Sequence, residues 1–332
     1  MKENFSKYLD NKLKINSKKF ALIIGAKPSE GARSPKLWNK VYRKKQIDCK
    51  MYPADVKDSN LKNLVSMLRK NKNFVGGSIT IPHKERIIKY LDQVDQNSKK
   101  IGSINTIIKK KDKIIGINTD YLGFANSFKN FKLKKNNNIL VLGAGGAGKS
   151  VISFVLNKFN NNKNFFFNRN KQKLLGYLKK FDNKNINVIK NYKSIEKIRN
   201  VNLVINATSV GFDTWFNDKK NKYFNYRFFS PLGQISKINF SKKKNIKEFF
   251  IKNKYIISNN LKQNEEFFKN NPKCQVYDII YSPKKTQLIR SALKLKNYTL
   301  NGLDMNLDQA VIAFSKVNLM KSIEKIKSIM KK

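Results

Sequence analysis

Four short polar clusters in this chain carry side chains able to do chemistry, and each follows a β-rich run. They are Ser78, Thr80 and Lys84 in SITIPHK, Asn105 in SINT, Asn118 and Asp120 in GINTDYLGF, and Gln309 in GLDMNLDQA. Strand ends are where open α/β sheets bind ligands. Together the clusters offer hydroxyls, carboxamides, one carboxylate and one ammonium. That set suits a small polyhydroxylated acid, because each buried substrate hydroxyl must meet a partner or remain an unpaired polar group. A fifth segment, VLGAGGAGKS from Val141 to Ser150, is of another kind. Its glycine turn presents bare backbone amides at a helix N-terminus, which attract an anion.

The glycine turn fits two patterns. As G-x-x-x-x-G-K-S, through Gly143, Gly148, Lys149 and Ser150, it would wrap a nucleoside triphosphate and its magnesium. As G-x-G-x-x-G, through Gly143, Gly145 and Gly148, it would hold a dinucleotide. The neighbouring strands favour the second. The apolar run NVNLVINATS ends in Asn206 and offers no carboxylate for magnesium, whereas NFFFNRNK supplies the second strand a dinucleotide site requires. Its tip carries Asn168 and Arg169 where an NAD enzyme places an acid for the ribose 2′-hydroxyl. A guanidinium there selects a 2′-phosphate, so the cofactor is expected to be NADP(H), with Lys171 and Lys173 adding charge. Lys149 then becomes a surface residue of the first helical turn.

The elements that position these groups alternate. FALIIG reads as a strand before SPKLWNKVYRK as a helix, CKMYPADV as a strand before LKNLVSMLRKN as a helix, and FVGGSIT as a third strand. IGSINTIIKKKDKIIGINTD has two β-rich arms around a lysine turn, the pattern of a hairpin, and a short helix is expected from Tyr121 to Phe131. The expected fold class is therefore two-domain α/β. An N-terminal substrate domain spans 1–123 and is completed by an amphipathic helix over 303–332. A Rossmann-type domain over 124–302 uses Asn138 to Leu142, NFFFNRNK, LVINATSVGF and CQVYDIIYSP as strands. Residues 213–272, rich in lysine and asparagine, are longer than an ordinary connection and are expected to be an elaborated or partly disordered insertion.

Composition excludes several classes. A chain of 332 residues, 40% hydrophobic, can bury a substantial core. Cys49 and Cys274 allow at most one disulfide and fit a reducing cytoplasm. The N-terminal segment resembles neither a secretory signal nor a transit peptide, no apolar run is long enough for a membrane span, and no metal-ligand spacing occurs. The net charge of +48 invites a polyanion-binding reading, yet of 70 basic residues only eight are arginine, the residue that base and bidentate phosphate contacts favour. The wealth of Lys, Asn, Ile and Phe, all A/T-rich in their codons, marks the charge as a by-product of base composition. No specific nucleic-acid partner is expected.

In this order, followed by the glycine turn, the clusters resemble the shikimate dehydrogenase family. The family's G-x-N-V-T-x-P-x-K is similar to Gly76 to Lys84, its I-G-A-V-N-T to Ile101 to Thr106, and its G-x-N-T-D-x-x-G-F to Gly116 to Phe124. The N-R pair at Asn168 and Arg169, NATSVG from Asn206, YDIIYSP, and Gly302-x-x-Met305-x-x-x-Gln309 continue the likeness. The resemblance implies reversible NADPH-dependent reduction of 3-dehydroshikimate to shikimate in cytoplasmic aromatic amino-acid biosynthesis, by a monomer or homodimer whose substrate sits between the domains. It implies Lys84 and Asp120 as catalytic pair, with Ser34, Thr80, Asn105, Tyr281 and Gln309 also on the substrate. It places Gly143, Ala144, Gly145, Gly146, Ala147, Asn168, Arg169, Lys173, Thr208, Ile279, Gly302 and Met305 on the cofactor, and leaves His83, the sole histidine, as a turn residue.

Two departures bear on the substrate. The family's S-x-S-P holds the substrate carboxylate, but here Ala32 precedes Arg33-Ser34-Pro35 in a loop one residue longer than usual, so one contact is absent or moved to Ser29 or Arg33. Ser78 replaces the usual asparagine. Quinate or another cyclic polyol acid is therefore the alternative substrate, and a catalytically silent nucleotide-binding relative or a lysine-rich polyanion binder the alternative class.

Overall fold

The computed structural model describes residues 5–129, 131, 133, 137–182, 184–218 and 222–332. The chain divides into two compact units, Met1–Lys129 with Asp304–Lys332, and Asn130–Leu303. The division falls after residue 129 rather than 123, because helix α5 (Asp120–Phe128) buries Phe124 and Phe128 with the first unit.

The first unit is built on a six-stranded mixed sheet. Its strands are β1 (Lys19–Gly25), β2 (Cys49–Asp55), β3 (Phe74–Ile79), β4 (Gln93–Val94), β5 (Thr106–Lys110) and β6 (Lys113–Ile117), in the order β2-β1-β3-β5-β6-β4. The strand period of two sorts β1 into two cores. Phe20, Leu22 and Ile24 meet Leu61, Leu64, Val65 and Leu68 of α2 (Asp58–Lys70). Ala21 and Ile23 instead face α1 (Arg33–Lys44) and the C-terminal helices α11 (Leu303–Asn318) and α12 (Ile323–Lys331), which contribute Trp38, Val41, Phe314 and Met330. Short helices α3 (His83–Arg86) and α4 (Gln96–Ile101) connect β3 to β4 and β4 to β5.

The second unit has strands β7 (Asn138–Leu142), β8 (Asn164–Phe167), β9 (Ile186–Val188), β10 (Val201–Asn206), β13 (Gln275–Asp278) and β14 (Thr299–Asn301), all parallel. A small antiparallel pair, β11 (Trp215–Asn217) and β12 (Tyr223–Asn225), stands apart. Helices α6 (Gly146–Lys158), α7 (Lys171–Leu178), α8 (Tyr192–Glu196), α9 (Ile246–Asn270) and α10 (Gln287–Lys294) link the strands. The spatial order β14-β13-β10-β7-β8-β9 is the doubly wound dinucleotide-binding order, with its switch point between β7 and β10.

The described part of residues 213–272, expected as an elaborated or partly disordered insertion, contains β11, β12 and the 25-residue helix α9, the crossover between β10 and β13. Asparagines on its buried face bind the backbone and a hydroxyl of the preceding loop. Asn253 pairs with both N (2.8 Å) and O (2.9 Å) of Asn239, and Asn260 accepts from Ser230 N (2.7 Å) and donates to Gly233 O (2.7 Å). Asn264 accepts from Ser230 Oγ at 2.6 Å. The C-terminal segment is not one helix. Leu319 adopts φ 53°, in the left-handed region, and Ser315 Oγ donates to Met320 O, so α12 folds back to bring Ile326 and Met330 into the α1 core.

Candidate active site

Of the side chains expected to bind substrate, Thr80, Lys84, Asn105 and Asp120 lie at the ends of β3, β5 and β6 in the first unit. Lys84 lies in α3, its backbone held where Ile104 N donates to Lys84 O at 2.7 Å. Its Nζ donates to Asp120 Oδ2 at 2.5 Å, with both side chains largely buried (16% and 6% exposed). Asp120 is the first residue of α5, so the helix fixes the direction of its carboxylate. Asn105 is the hub. Its Nδ2 donates to Asp120 Oδ1 (2.9 Å), Thr119 Oγ1 (2.9 Å) and Gln309 Oε1 (3.1 Å), while its Oδ1 accepts from Thr119 N (2.7 Å).

Gln309 reaches this hub because α5 and α11 pack closely. A Cβ on Gly123 would stand 2.8 Å from Gln309 N and from Met305 O, nearer than real Cβ atoms approach, so only glycine permits the contact. Thr119, which sequence reasoning passed over, ties the same elements by donating to Gln309 O at 3.1 Å. Its place in GINTDYLGF was the available signal. Asn118 satisfies backbone, accepting from Tyr121 N (3.1 Å) and donating to Ser103 O (2.7 Å).

Among the described residues, neither Ser34 nor Thr80 makes a side-chain hydrogen bond to this network. Ser34 is the buried second residue of α1, and Thr80 follows β3 with its amide donating to Ile24 O at 2.8 Å. Ser29 is committed elsewhere: its amide (2.9 Å) and hydroxyl both donate to the Asp55 carboxylate. His83, expected as a turn residue, is a buried anchor of that turn. Only 1% exposed, it holds Val56 O through Nε2 at 2.8 Å, and burial lowers its pKa, which keeps the imidazole neutral.

All the expected cofactor residues but one lie in the second unit. Tyr281, expected on the substrate, belongs to this unit, while Met305, expected on the cofactor, is buried in α11 of the first. Gly143 follows β7 with φ 101° and Gly145 precedes α6, whose first residues are Gly146 and Ala147. A Cβ on Gly145 would meet nothing within 4 Å, whereas one on Gly148 would stand 2.4 Å from Gly143 O. The turn is thus bare toward open space and tight behind, a cradle of amides that fits a pyrophosphate. Asn168 accepts from Ala144 N at 3.1 Å, which pins the tip of β8 to that turn and leaves Arg169 beside it. Asn170 caps α7 through Lys173 N at 2.8 Å.

A second polar hub lies under this site and was missed. Asn206 and Asp278 stand opposite each other at the tips of β10 and β13, with Asn206 Nδ2 donating to Asp278 Oδ1 at 2.9 Å. Asn206 Oδ1 accepts from Thr208 N (3.0 Å) and Oγ1 (2.7 Å), and Asp278 accepts from Ile280 N (3.1 Å) and Thr286 Oγ1 (2.7 Å). Ile279 N also donates to Asn206 O at 3.0 Å, so the pair positions Thr208 and Ile279. Gly302 closes the group, since a Cβ there would stand 1.8 Å from Ile279 O. An acid ending the apolar run CQVYD was the signal in the sequence.

Complete burial raises the Asp278 pKa to about 7. The folded protein thus keeps a proton that the unfolded chain releases near pH 4. Stability from this group is full below that pH and is lost as pH rises to about 7, by about 4 kcal/mol at most. Urea midpoints between pH 5 and pH 8 should fall in the wild type and fall less in Asp278→Asn, which keeps Oδ1 as acceptor. Equal slopes in both proteins would rule out Asp278 as the source.

Comparison with known proteins agrees with this geometry. Residues 23–107 match the family described as the shikimate dehydrogenase substrate binding domain. A shikimate dehydrogenase (NADP+) from Methanosphaera stadtmanae is 33% identical over 88% of each chain. A crystal structure of a shikimate dehydrogenase in complex with NADP+ superposes with a TM-score of 0.67 at 25% identity over 95% of each chain. The Aquifex aeolicus shikimate dehydrogenase does so with a TM-score of 0.67 at 26% identity, over 95% of this chain and 99% of that one. No helix among the described residues is long and apolar enough to cross a membrane. With one third of its residues shared along most of its length, and with the same two-sheet fold, this chain belongs to the shikimate dehydrogenase family.

Proposed function

We propose that this chain catalyses the reversible NADPH-dependent reduction of 3-dehydroshikimate to shikimate, in the cytoplasm, with Lys84 and Asp120 as its catalytic pair. The observation that carries this reading is the 2.5 Å contact between them, joined through Asn105 to Gln309. Bound NADPH supplies the hydride. As the carbonyl carbon is reduced, negative charge grows on its oxygen, and Lys84 Nζ stands ready to stabilise that charge and donate a proton to it. Asp120 holds the ammonium in place and presents a carboxylate to a substrate hydroxyl. Asn105, Gln309 and Thr80 provide donors and acceptors for the ring hydroxyls, with Ser34 and Tyr281 on the substrate as well. In the reverse direction Lys84 takes the hydroxyl proton.

On the cofactor, the amides from Gly143 to Ala147 would hold the pyrophosphate and Asn168, Arg169 and Lys173 the 2′-phosphorylated ribose. Thr208, Ile279, Gly302 and Met305 would line the nicotinamide end. The donor set fits: backbone amides in an open turn, then a guanidinium at the tip of the second strand.

Purified protein mixed with NADP+ and shikimate should produce the absorbance of reduced cofactor. Ala32, which brings no hydroxyl to the N-cap of α1, supports quinate as the second substrate to try. Turnover of quinate without shikimate would move the assignment to that acid, and no turnover of either would overturn it.

A further inference from the structure

Beyond Thr208 the chain of the second unit makes polar contacts that the site above does not use. Asp213 N donates to Ser282 O at 2.9 Å. The Asp213 carboxylate accepts from Asn225 Nδ2 at 3.2 Å through Oδ1 and from Arg227 Nη1 at 2.9 Å through Oδ2. Asn225, buried at the end of β12, closes the ring, since its own Oδ1 accepts from Arg227 N at 2.8 Å. An ion pair as exposed as this one (Arg227 39%, Asp213 32%) contributes little stability by itself. What the closed ring of bonds does is fix where Asp213 sits, and with it the carbonyl of Ser282.

The two residues before Asp213 meet the two before Ser282 in the same way. Phe212 stands edge-on to Tyr281, with ring centroids 5.6 Å apart and planes at 70°. Gly211 adopts φ 103°, in the left-handed region, and a Cβ there would stand 3.3 Å from Thr286 Cβ and 3.5 Å from Ile280 Cδ1. Residues 211, 212 and 213 therefore lie one for one against 280, 281 and 282. Gly211 N also donates to Tyr226 O at 3.1 Å, which ties the same stretch to the residue between Asn225 and Arg227. The backing is firm: Phe216 of β11 stacks on Phe224 of β12 (5.3 Å), and Trp215 packs on Phe249 of α9 (5.8 Å).

We infer that Asp213, Asn225 and Arg227 form a clasp that holds Tyr281 in place for the substrate, which makes Asp213 and Arg227 positioning residues of this enzyme. The inference rests on the proposed function, in which Tyr281 lies on the substrate. Thr208 and Ile279 are held by separate bonds from the Asn206 and Asp278 hub, so the clasp bears on substrate binding rather than on the cofactor. A side chain displaced by a fraction of an ångström loses a hydrogen bond to a bound ligand, and the clasp acts by preventing that displacement.

Initial rates with shikimate and NADP+, together with melting curves, on wild type, Arg227→Ala, Arg227→Lys, Tyr281→Phe and the Arg227→Ala/Tyr281→Phe double variant test it. Arg227→Ala should raise KM for shikimate by roughly 3–20-fold, with kcat and KM for NADP+ changed by less than about twofold. Arg227→Lys keeps the charge and should recover part of the loss. Tyr281→Phe should itself raise KM for shikimate, and in that background Arg227→Ala should add little, because the clasp acts through the tyrosine. An equal further rise in the Tyr281→Phe background overturns the inference, as does a KM unchanged by Arg227→Ala, even where the melting temperature falls, or unchanged by Tyr281→Phe. Each of these leaves the proposed function intact where the wild type turns over shikimate. A wild type that does not turn over shikimate overturns the proposed function and this inference with it.

Discussion

Lys84→Ala should lower kcat for shikimate oxidation by roughly 10²–10⁴-fold with a much smaller change in KM, because a positioned proton donor acts mainly in the transition state. Lys84 Nζ is the cation held by Asp120, and the remaining partners of that carboxylate and of Asn105 are neutral amides and hydroxyls. No other ammonium in this network can take over. Removing it also leaves a buried carboxylate with Asn105 as its hydrogen-bond donor, which should lower stability. Melting curves and initial rates at saturating NADP+ must therefore be read together. A folded Lys84→Ala protein whose kcat falls less than tenfold would remove Lys84 from the chemistry. Asp120→Asn should lose less than Lys84→Ala, since a carboxamide oxygen can still accept from Nζ while no longer holding the ammonium by charge.

Much of this site was legible because its residues occur in short clusters at strand ends, where backbone geometry repeats. Lys84 and Asp120 lie 36 residues apart and Asn105 and Gln309 lie 204 apart, so their contacts depend on the sheet order and on the α5–α11 packing at Gly123. Chain order announces the groups, and tertiary packing decides which of them touch. The crossover from β10 to β13 was illegible for a different reason. Helix α9 buries Phe249, Asn253, Ile256, Ile257, Asn260, Asn264, Phe267 and Phe268 on one face, a helical period in which three of the eight positions are polar. Apolar periodicity cannot detect a face whose carboxamides bind loop backbone and hydroxyls, and in an asparagine-rich chain those residues look like solvated loop. The turn at Leu319 was hidden because the apolar pattern continues through it into α12. Asp278 escaped notice because a lone acid after an apolar strand reads as a strand terminus, whereas the fold buries it completely under Asn206 and Thr286.

The second large effect lies at the cofactor. Arg169→Ala should lower kcat/KM with NADPH by roughly 10–100-fold and change that with NADH little, through loss of a charge-assisted pair with the 2′-phosphate. Asn168 is already used: its Oδ1 accepts from Ala144 N and its Nδ2 donates to Asn170 O at 2.8 Å, so it organises the turn as a neutral group. Arg169 therefore supplies the charge at the tip of β8, and its field also opposes the rise that burial imposes on the Tyr192 phenol. Asn168→Asp provides the complementary test. The carboxylate keeps an acceptor for Ala144 N, repels a phosphate and can accept from a ribose 2′-hydroxyl, so the double variant with Arg169→Ala should prefer NADH. Rates with both cofactors at low and high salt separate the contributions. If the Arg169→Ala preference for NADPH persists and fades only with added salt, the phosphate is read by the diffuse charge of Lys171 and Lys173. If it collapses at low salt, the single arginine in this lysine-rich segment is the group that discriminates, because a directed bidentate pair resists screening better than solvated ammonium groups do.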